Sequence, residues 1–393
     1  MEEKKIKICA LTTVSQMMQS FVVDGMRKLA KNGYDVTLVC SMDDAFIANN
    51  SDFARCINIP MKRGAKLGEI FKNIRKLRKL FKQERFDVIY YASPNVSMYA
   101  SVAGKQAKIK TRIYSQCGIR YVSLTGIKRK IFKWIEKLTC KNSTHVRSVS
   151  PLNMQFSIDE GLCEKEKISV IGIGGTNGVD LKSCDSMDCV QTRKEIRERF
   201  GIPQDAFVYG FVGRLNKDKG INELVNAYDE VQKLHAQSRL MLVGAKDKTN
   251  PISKESEVKI ATNNAIIETG GIPSDEVYRY MSAFDVLVHP TYREGYGKVL
   301  QEAMGMHLPI ITTDVIGPCE VVDGGKYGLL IPAKDSTALA KAMIDIAQDE
   351  SLRQTLAKKG RERAEKYYDR PIMLNNLMKE MNKIMGIDKG DEQ

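Results

Sequence analysis

Short apolar runs alternate with longer stretches of helical spacing along nearly the whole chain. In the first half, "KIKICALTT", "DVTLVC", "FDVIYYAS", "TRIYSQ" and "THVRSVS" read as strands. Between them "FVVDGMRKLAKNGY", "LGEIFKNIRKLRKLFKQ" and "GIKRKIFKWIEKLTCKN" carry the spacing of amphipathic helices. Apolar strands separated by helices predict a parallel sheet covered on both faces. A second series follows: "KISVIGI", "FVYGFVGRL", "RLMLVGA", "AIIETGG", "DVLVHPTY", "PIITTD" and "GLLIP" as strands, with helices such as "GINELVNAYDEVQKLHA" between them. The fold class expected is α/β, with two Rossmann-like domains facing across a cleft. The first spans 1–167 and the second 168–368. A final helix, "RPIMLNNLMKEMNKIMG", lies in the segment 369–393 and is expected to pack back towards the first domain. In such sheets ligands bind beyond the carboxyl ends of the strands.

Composition adds boundaries to this picture. A chain of 393 residues suits two domains of about 150–200 residues each. No apolar run approaches the ~20 residues of a spanning helix, and the charged start "MEEKKIKICALTTV" lacks a signal-peptide pattern. Nine cysteines without a C-x-x-C pair suggest reduced thiols in a cytoplasmic protein. The net charge of +13 is uneven: residues 1–190 hold 32 Lys/Arg against 18 Asp/Glu, and the remainder 29 against 30. An anionic partner for the first half follows. From Lys62 to Arg85 there are ten Lys/Arg and two Asp/Glu, and "KRKIFKWIEK" adds more around the only tryptophan, Trp134. An anionic membrane surface suits this charge. Nucleic acid is disfavoured, because the aromatic-basic interleaving of an RNA-binding module is missing.

Two stretches of the second half carry chemistry. "FVGRLNKDKGINELVNAY" runs from a strand through a loop into a helix, and the loop holds Gly213, Arg214, Lys217, Lys219 and Gly220. Glycine at a strand end, cations and a helix N-terminus together make an anion site; Arg214 adds bidentate bonding to phosphate and Lys219 a point charge. A solvated turn with surface lysines is the alternative. The second stretch, "REGYGKVLQEAM", holds Glu294 in a glycine-broken turn and Glu302 about one turn into a helix beginning near Lys298 or Val299. Strand ends of one parallel sheet converge on one edge, so a phosphate cradle and two carboxylates there match a nucleotide diphosphate-sugar. Glu302 can accept from both hydroxyls of a ribose, while Glu294 and the amides of Gly295 to Gly297 can read a sugar.

"GRLNKDKG" and "EGYGKVLQE" resemble the G-R-x4-K-G and E-x7-E motifs of retaining GT-B glycosyltransferases, the family-four group. "VIGIGGTNGVDL" resembles that group's interdomain loop, and the similarity spans nearly the full chain. The resemblance implies transfer of a hexose-type sugar from a nucleotide diphosphate donor, UDP-linked, with retention and without a metal or other cofactor. It implies a donor site formed by Gly213, Arg214, Lys219, Gly271, Ile272, Glu294, Gly295, Tyr296, Gly297, Lys298, Val299 and Glu302. Arg214, Lys219 and Glu294 are its catalytic members. "GIRY" and "GIKRKIFKWIEKLTC" are most similar to bacterial capsular, exopolysaccharide and lipopolysaccharide enzymes, whose acceptors are saccharides commonly linked to polyprenyl diphosphate. Peripheral association with the inner membrane face is the matching expectation.

The chain departs from the family at three places. His307 stands where glycine is common. The glycine-rich loop after strand one is "TTVSQMMQS", leaving Thr13, Val14 and Ser15 as candidates for phosphate or acceptor. Cys117 in "SQCGIRY" stands where many relatives have histidine. Arg120 is a further candidate for an acceptor anion. "GIGGTNG" is not a dinucleotide fingerprint, since Asn177 stands where its third glycine should fall. Without D-x-D, H-E-x-x-H or a Cys/His cluster no metal is expected. His145, His235, His289 and His307 are expected to be structural. Two rivals remain: a sugar-nucleotide epimerase of the same fold, and a non-catalytic protein that binds anionic surfaces.

Overall fold

The computed structural model describes residues 5–61 and 67–387, leaving Lys62, Arg63 and Lys66 of the basic run outside the description. The chain divides into two units: residues up to Asn177 together with those from Pro371, and Gly178–Arg370.

The first unit is built on seven parallel strands: β1 (Lys7–Val14), β2 (Asp35–Ser41), β3 (Ala54–Asn58), β4 (Val88–Ala92), β5 (Thr111–Gln116), β6 (His145–Ser148) and β7 (Ile168–Val170). Their spatial order is β3-β2-β1-β4-β5-β6-β7. Successive residues of β1 point to opposite faces, as a pleated strand requires. Ile8 and Ala10 enter one core, Cys9 and Leu11 the other. On the second face the helices Leu67–Glu84, Pro94–Gln106 and Gly126–Asn142 lie side by side, and Leu77 and Phe81 of the basic helix are buried there. On the first face lie the helix Val23–Lys31 and the C-terminal helix Arg370–Met385, which contributes Met373, Leu377 and Met381.

The division after Asn177 corrects the boundary read from the sequence. "KISVIGI" opens no second sheet: Ile168–Val170 pairs in parallel with Val146–Ser148 and closes the first one. An edge strand of three residues carries no sign of which sheet it will join.

The second unit holds six parallel strands: β8 (Val208–Val212), β9 (Arg239–Val243), β10 (Ile266–Gly270), β11 (Val286–His289), β12 (Ile310–Thr313) and β13 (Leu329–Ile331), in the order β10-β9-β8-β11-β12-β13. Below the sheet, Arg197 is fully buried. Its guanidinium donates to the carbonyls of Gln204, Ala206 and Ala283 and to Asp285 Oδ2. Asp285 also accepts from Val208 N at 2.7 Å. This pins the helix Cys189–Arg199 beneath the starts of β8 and β11. The charge is tolerated in the interior because its donors are met.

Candidate active site

Within the second sheet β8 and β11 are neighbours, and the chain leaves them towards opposite edges. That reversal opens a crevice at their carboxyl ends, where open α/β sheets bind ligands. Both stretches singled out in the sequence begin there. After Val212 the chain passes Gly213 and Arg214 into a short 3-10 turn, Lys217–Lys219, and the helix Ile221–Leu234. Asn216 caps the turn, its Oδ1 accepting from Lys219 N at 3.0 Å.

Two glycines set how closely the segments pack. Gly220 has φ +69°, and a β-carbon there would lie 2.0 Å from the Pro290 carbonyl oxygen. The start of the helix thus presses directly against the loop leaving β11. Gly244, just past β9, has φ +144°, and a β-carbon there would lie 1.9 Å from the Gly213 oxygen. Larger residues would push the strand ends apart.

Lys219 reaches across this crevice and pairs with the Glu294 carboxylate through Nζ. His289, the last residue of β11, places Nε2 at 3.6 Å from Glu294 Oε2 and 3.5 Å from Lys219 Nζ. Its ring is fully buried and stacks on Phe211 with centroids 5.5 Å apart. Burial works to raise the Glu294 carboxyl, but Lys219 and His289 outweigh it and hold the group well below the usual carboxylate range. Burial, then Lys219, lowers the His289 imidazole against the opposing pull of Glu294. The cluster is therefore a Lys219–Glu294 ion pair beside a ring on which burial disfavours charge. The sequence placed Lys219 and Glu294 on one edge, but it assigned His289 to structure alone. Its position at a strand end, five residues before Glu294, was the available signal.

The loop carrying Glu294 is braced at several points. Asp218 accepts from Arg293 Nε at 2.9 Å and Nη2 at 2.6 Å, and its carbonyl accepts from Tyr292 N at 2.8 Å. Thr313 Oγ1 donates to Thr291 O at 2.6 Å. Arg214 is largely exposed and donates through Nη1 to Asp247 Oδ2 at 2.7 Å. Asp247 lies just beyond β9 and also accepts from Asn216 Nδ2 at 3.2 Å and from Thr249 N and Oγ1. The Thr249 hydroxyl leads in lowering the Asp247 carboxyl to about 2; burial opposes it, and the Thr249 amide, Asn216 and Arg214 add to the lowering. Neither Asn216 nor Asp247 was legible as a site residue, because each acts by holding a neighbour.

The helix after the glycine turn runs Lys298–Gly305 and carries Glu302 on its second turn. Glu302 is nearly buried and pairs with Lys298 Nζ at 3.0 Å. Val299 is half-buried beside it, as is Gly295 before the turn, while Gly297 at the helix start is buried. The side chain of Tyr296 turns into the core, so what the crevice can draw from this residue is main chain. Its side chain is buried, T-shaped against Tyr368, with the two hydroxyls 3.0 Å apart. An aromatic between two glycines serves the core here. Gly271 and Ile272 follow the end of β10, exposed and half-buried respectively. Gly244 N donates to Gly270 O at 3.0 Å, tying that strand end to β9.

In the first unit β1 runs on to Val14, which is the N-cap of the helix Ser15–Phe21. The loop expected around Thr13, Val14 and Ser15 is thus replaced by a direct strand-to-helix junction. The β-branched "TTV" continues the strand until it reaches the helix. Thr13 is buried and bonds to Ser93 at the end of β4, with hydroxyl oxygens 2.8 Å apart. Val14 and Ser15 are half-buried. Arg120 opens the 3-10 turn Arg120–Ser123, and its side chain lies outside the described residues. Cys117 is half-buried, its Sγ 3.6 Å from Ser115 Oγ. Among the described residues no three His, Cys, Asp or Glu side chains cluster as metal ligands.

Comparisons with known proteins give the family and the fold. Residues 7–150 match the family model of glycosyl transferase 4-like domains, and residues 192–363 that of glycosyl transferases group 1. The capsular polysaccharide biosynthesis glycosyltransferase CapM of Staphylococcus aureus is 28% identical over 98% of this chain and 100% of its own. An Escherichia coli UDP-Gal:alpha-D-GlcNAc-diphosphoundecaprenol alpha-1,3-galactosyltransferase is 24% identical over 88% and 89%. Among solved structures, Anabaena HepE in complex with UDP superposes with a TM-score of 0.77 at 19% identity, covering 97% of this chain and 100% of that one. Two parallel-sheet units of Rossmann order, with a family domain matched in each, make this chain a GT-B glycosyltransferase of the group 1 and 4-like families.

Proposed function

We propose that the protein moves a hexose-type sugar from a nucleotide diphosphate-sugar, UDP-linked, to a saccharide acceptor carried on polyprenyl diphosphate. The product would be a surface polysaccharide, capsular or lipopolysaccharide in kind. The work takes place on the cytoplasmic side, with the protein held peripherally at the anionic inner face of the membrane. The observation that carries the donor half is the Lys219–Glu294–His289 cluster at the β8/β11 crevice beside the Ile221 helix start. Similar proteins support the rest: the E. coli enzyme uses UDP-Gal and a diphosphoundecaprenol-linked acceptor, and the HepE structure holds UDP.

In this reading the bond between the anomeric carbon and the diphosphate breaks while the bond to the acceptor oxygen forms on the same face. The diphosphate gathers charge as it leaves. Lys219, Arg214 and the N–H groups at the start of the helix Ile221–Leu234 stabilise that charge, as fixed donors aimed at a developing anion do best. Glu294, kept ionised, accepts from hydroxyls of the transferred sugar, and Glu302 accepts from the ribose. The amides from Gly295 to Gly297 and the main chain at Gly271 and Ile272 line the sugar and the base. The acceptor's proton passes to a phosphate oxygen of the leaving group, so neither a metal nor a cofactor nor a protein base is required. Cys117, standing in place of histidine, agrees with that economy. Thr13, Val14, Ser15 and Arg120 remain the candidates for the acceptor side.

Calorimetric titration with UDP in EDTA, with Glu302→Ala alongside, tests the donor site. Metal-independent binding weakened about 10-fold or more by the loss of a bonded carboxylate is expected. Incubation with UDP-sugars and a lipid-linked acceptor, read by the anomeric configuration of the product, tests the reaction. Conversion of UDP-sugar without any acceptor would replace it with an epimerase.

A further inference from the structure

The helix Gly126–Asn142 sets Phe132 against the core yet keeps other apolar side chains outside. A helix on the surface of a globular unit buries its apolar stripe and shows its polar face to water. This one buries Glu136, Thr139, Cys140 and Asn142. Glu136 is satisfied there, its Oε1 accepting from Tyr114 Oη and Gln116 Nε2, each at 2.8 Å. The opposite face carries Ile127, Ile131 and Trp134, exposed by 76%, 51% and 63%. Spacings of four and three residues bring these three within an arc of about 60°. On the same helical geometry the exposed Lys130, Lys137 and Lys141 flank the stripe on one side and Lys128 on the other. Phe71, 70% exposed, adds a further apolar side chain from the helix Leu67–Glu84 in the same layer.

We infer that this face is the membrane-docking element, inserting Ile127, Ile131 and Trp134 into the headgroup region of an anionic phospholipid bilayer. The inference rests on the reading that the protein works at an anionic membrane surface, and it names the part that touches lipid. Charge complementarity selects the occupant. A protein–protein contact centred on this stripe would have to desolvate its lysines, and lysine is depleted from such contacts. At a bilayer their stems lie along the apolar surface while the ammonium groups reach the lipid phosphates. A tryptophan beside lysines on an apolar helix face is the composition of an interfacial helix. The basic helix Leu67–Glu84, by contrast, spends Leu77 and Phe81 on the core, so its cations can attract the leaflet without anchoring in it.

Trp134 is the only tryptophan, so its fluorescence reports on this face alone. The full chain is mixed with vesicles of phosphatidylglycerol and phosphatidylcholine, or of phosphatidylcholine only. Expected are a blue shift and protection from aqueous iodide with the anionic vesicles and neither with the neutral ones. Ile127→Ser with Ile131→Ser should lower vesicle partitioning by roughly 10–100-fold, two buried aliphatic side chains being lost. UDP binding by the same variant should stay unchanged. Vesicle binding that leaves Trp134 open to iodide would overturn this assignment and leave the membrane reading standing. No binding to either vesicle would remove both. Concentration-dependent protection of Trp134 without vesicles, with a dimer in sedimentation, would give the face to a second copy of the chain.

Discussion

Glu294 is held ionised by its neighbours rather than by water. Its lowered pKa means that the stability it contributes is present above the ordinary carboxylate pKa and is lost only as pH falls through the lower folded value. Lys219→Ala removes the chief opposing cation and leaves the upward push of burial to dominate. Activity should fall roughly 100–1,000-fold, the scale for one lost transition-state donor. The acid limb of the kcat/KM profile should also move to higher pH; an unmoved limb would separate Glu294 from the chemistry. Gly220→Ala places a methyl group against the Pro290 oxygen, so UDP affinity should drop by about 10-fold or more, with about 2–3 kcal/mol of stability lost in urea. Gly201, with φ +64° and no atom within 4 Å of a β-carbon, is the control and should cost only about 1 kcal/mol. His307 stands in the left-handed region, φ 55°, just past the helix Lys298–Gly305. It keeps the turn that glycine would make freely, so His307→Gly should raise stability by up to about 1 kcal/mol, read as an increase in Tm.

At the scale of elements, the loop between β8 and the helix Ile221–Leu234 keeps its shape through Asn216 and Asp247. Asp247 is nearly buried and its folded pKa lies below the unfolded one, at about 2. Its contribution is therefore full above pH ~4 and is lost between there and pH ~2, amounting to about 2 kcal/mol. Urea unfolding of Asp247→Asn should show that deficit at pH 6 and a shrinking one towards pH 2.5. A deficit independent of pH would assign the loss to packing. In the helix Gly126–Asn142, Tyr114 and Gln116 supply Glu136 with partners on the buried face, and Ile127, Ile131 and Trp134 lie opposite it.

For the whole molecule, the chain end completes the first unit. Met373, Leu377 and Met381 fill the core formed by Met18, Met26 and Leu29. Leu377 lies where a β-carbon on Gly25 would come within 2.7 Å of its Cδ2. Leu377→Ala should cost about 2–4 kcal/mol through the cavity it leaves. Ending the chain at Arg370 should destroy cooperative unfolding of the first unit while the second, Gly178–Arg370, keeps its transition in calorimetry. One unchanged transition would mean that the C-terminal helix is dispensable.

Periodicity alone determined most of the architecture. Strands buried on both faces, such as "VIYYA", must be near-continuously apolar, and a parallel sheet follows from the helices between them. That Lys219 and Glu294 share one sheet edge, and that Gly220 lets backbone come close there, was legible for a similar reason, since strand ends of one parallel sheet converge and close approach leaves few residue choices. Tertiary structure decided what depends on partners distant in sequence. Ile168–Val170 joined the first sheet because β6 offered it an edge. Tyr296 turned inward because Tyr368 waits there. His289 met Glu294 and Lys219 because β8 and β11 lie side by side. Trp134 came to the surface because the interior had already claimed Glu136. Local sequence specifies an element and its chemistry, whereas the neighbours that give a side chain its burial and charge are set by topology.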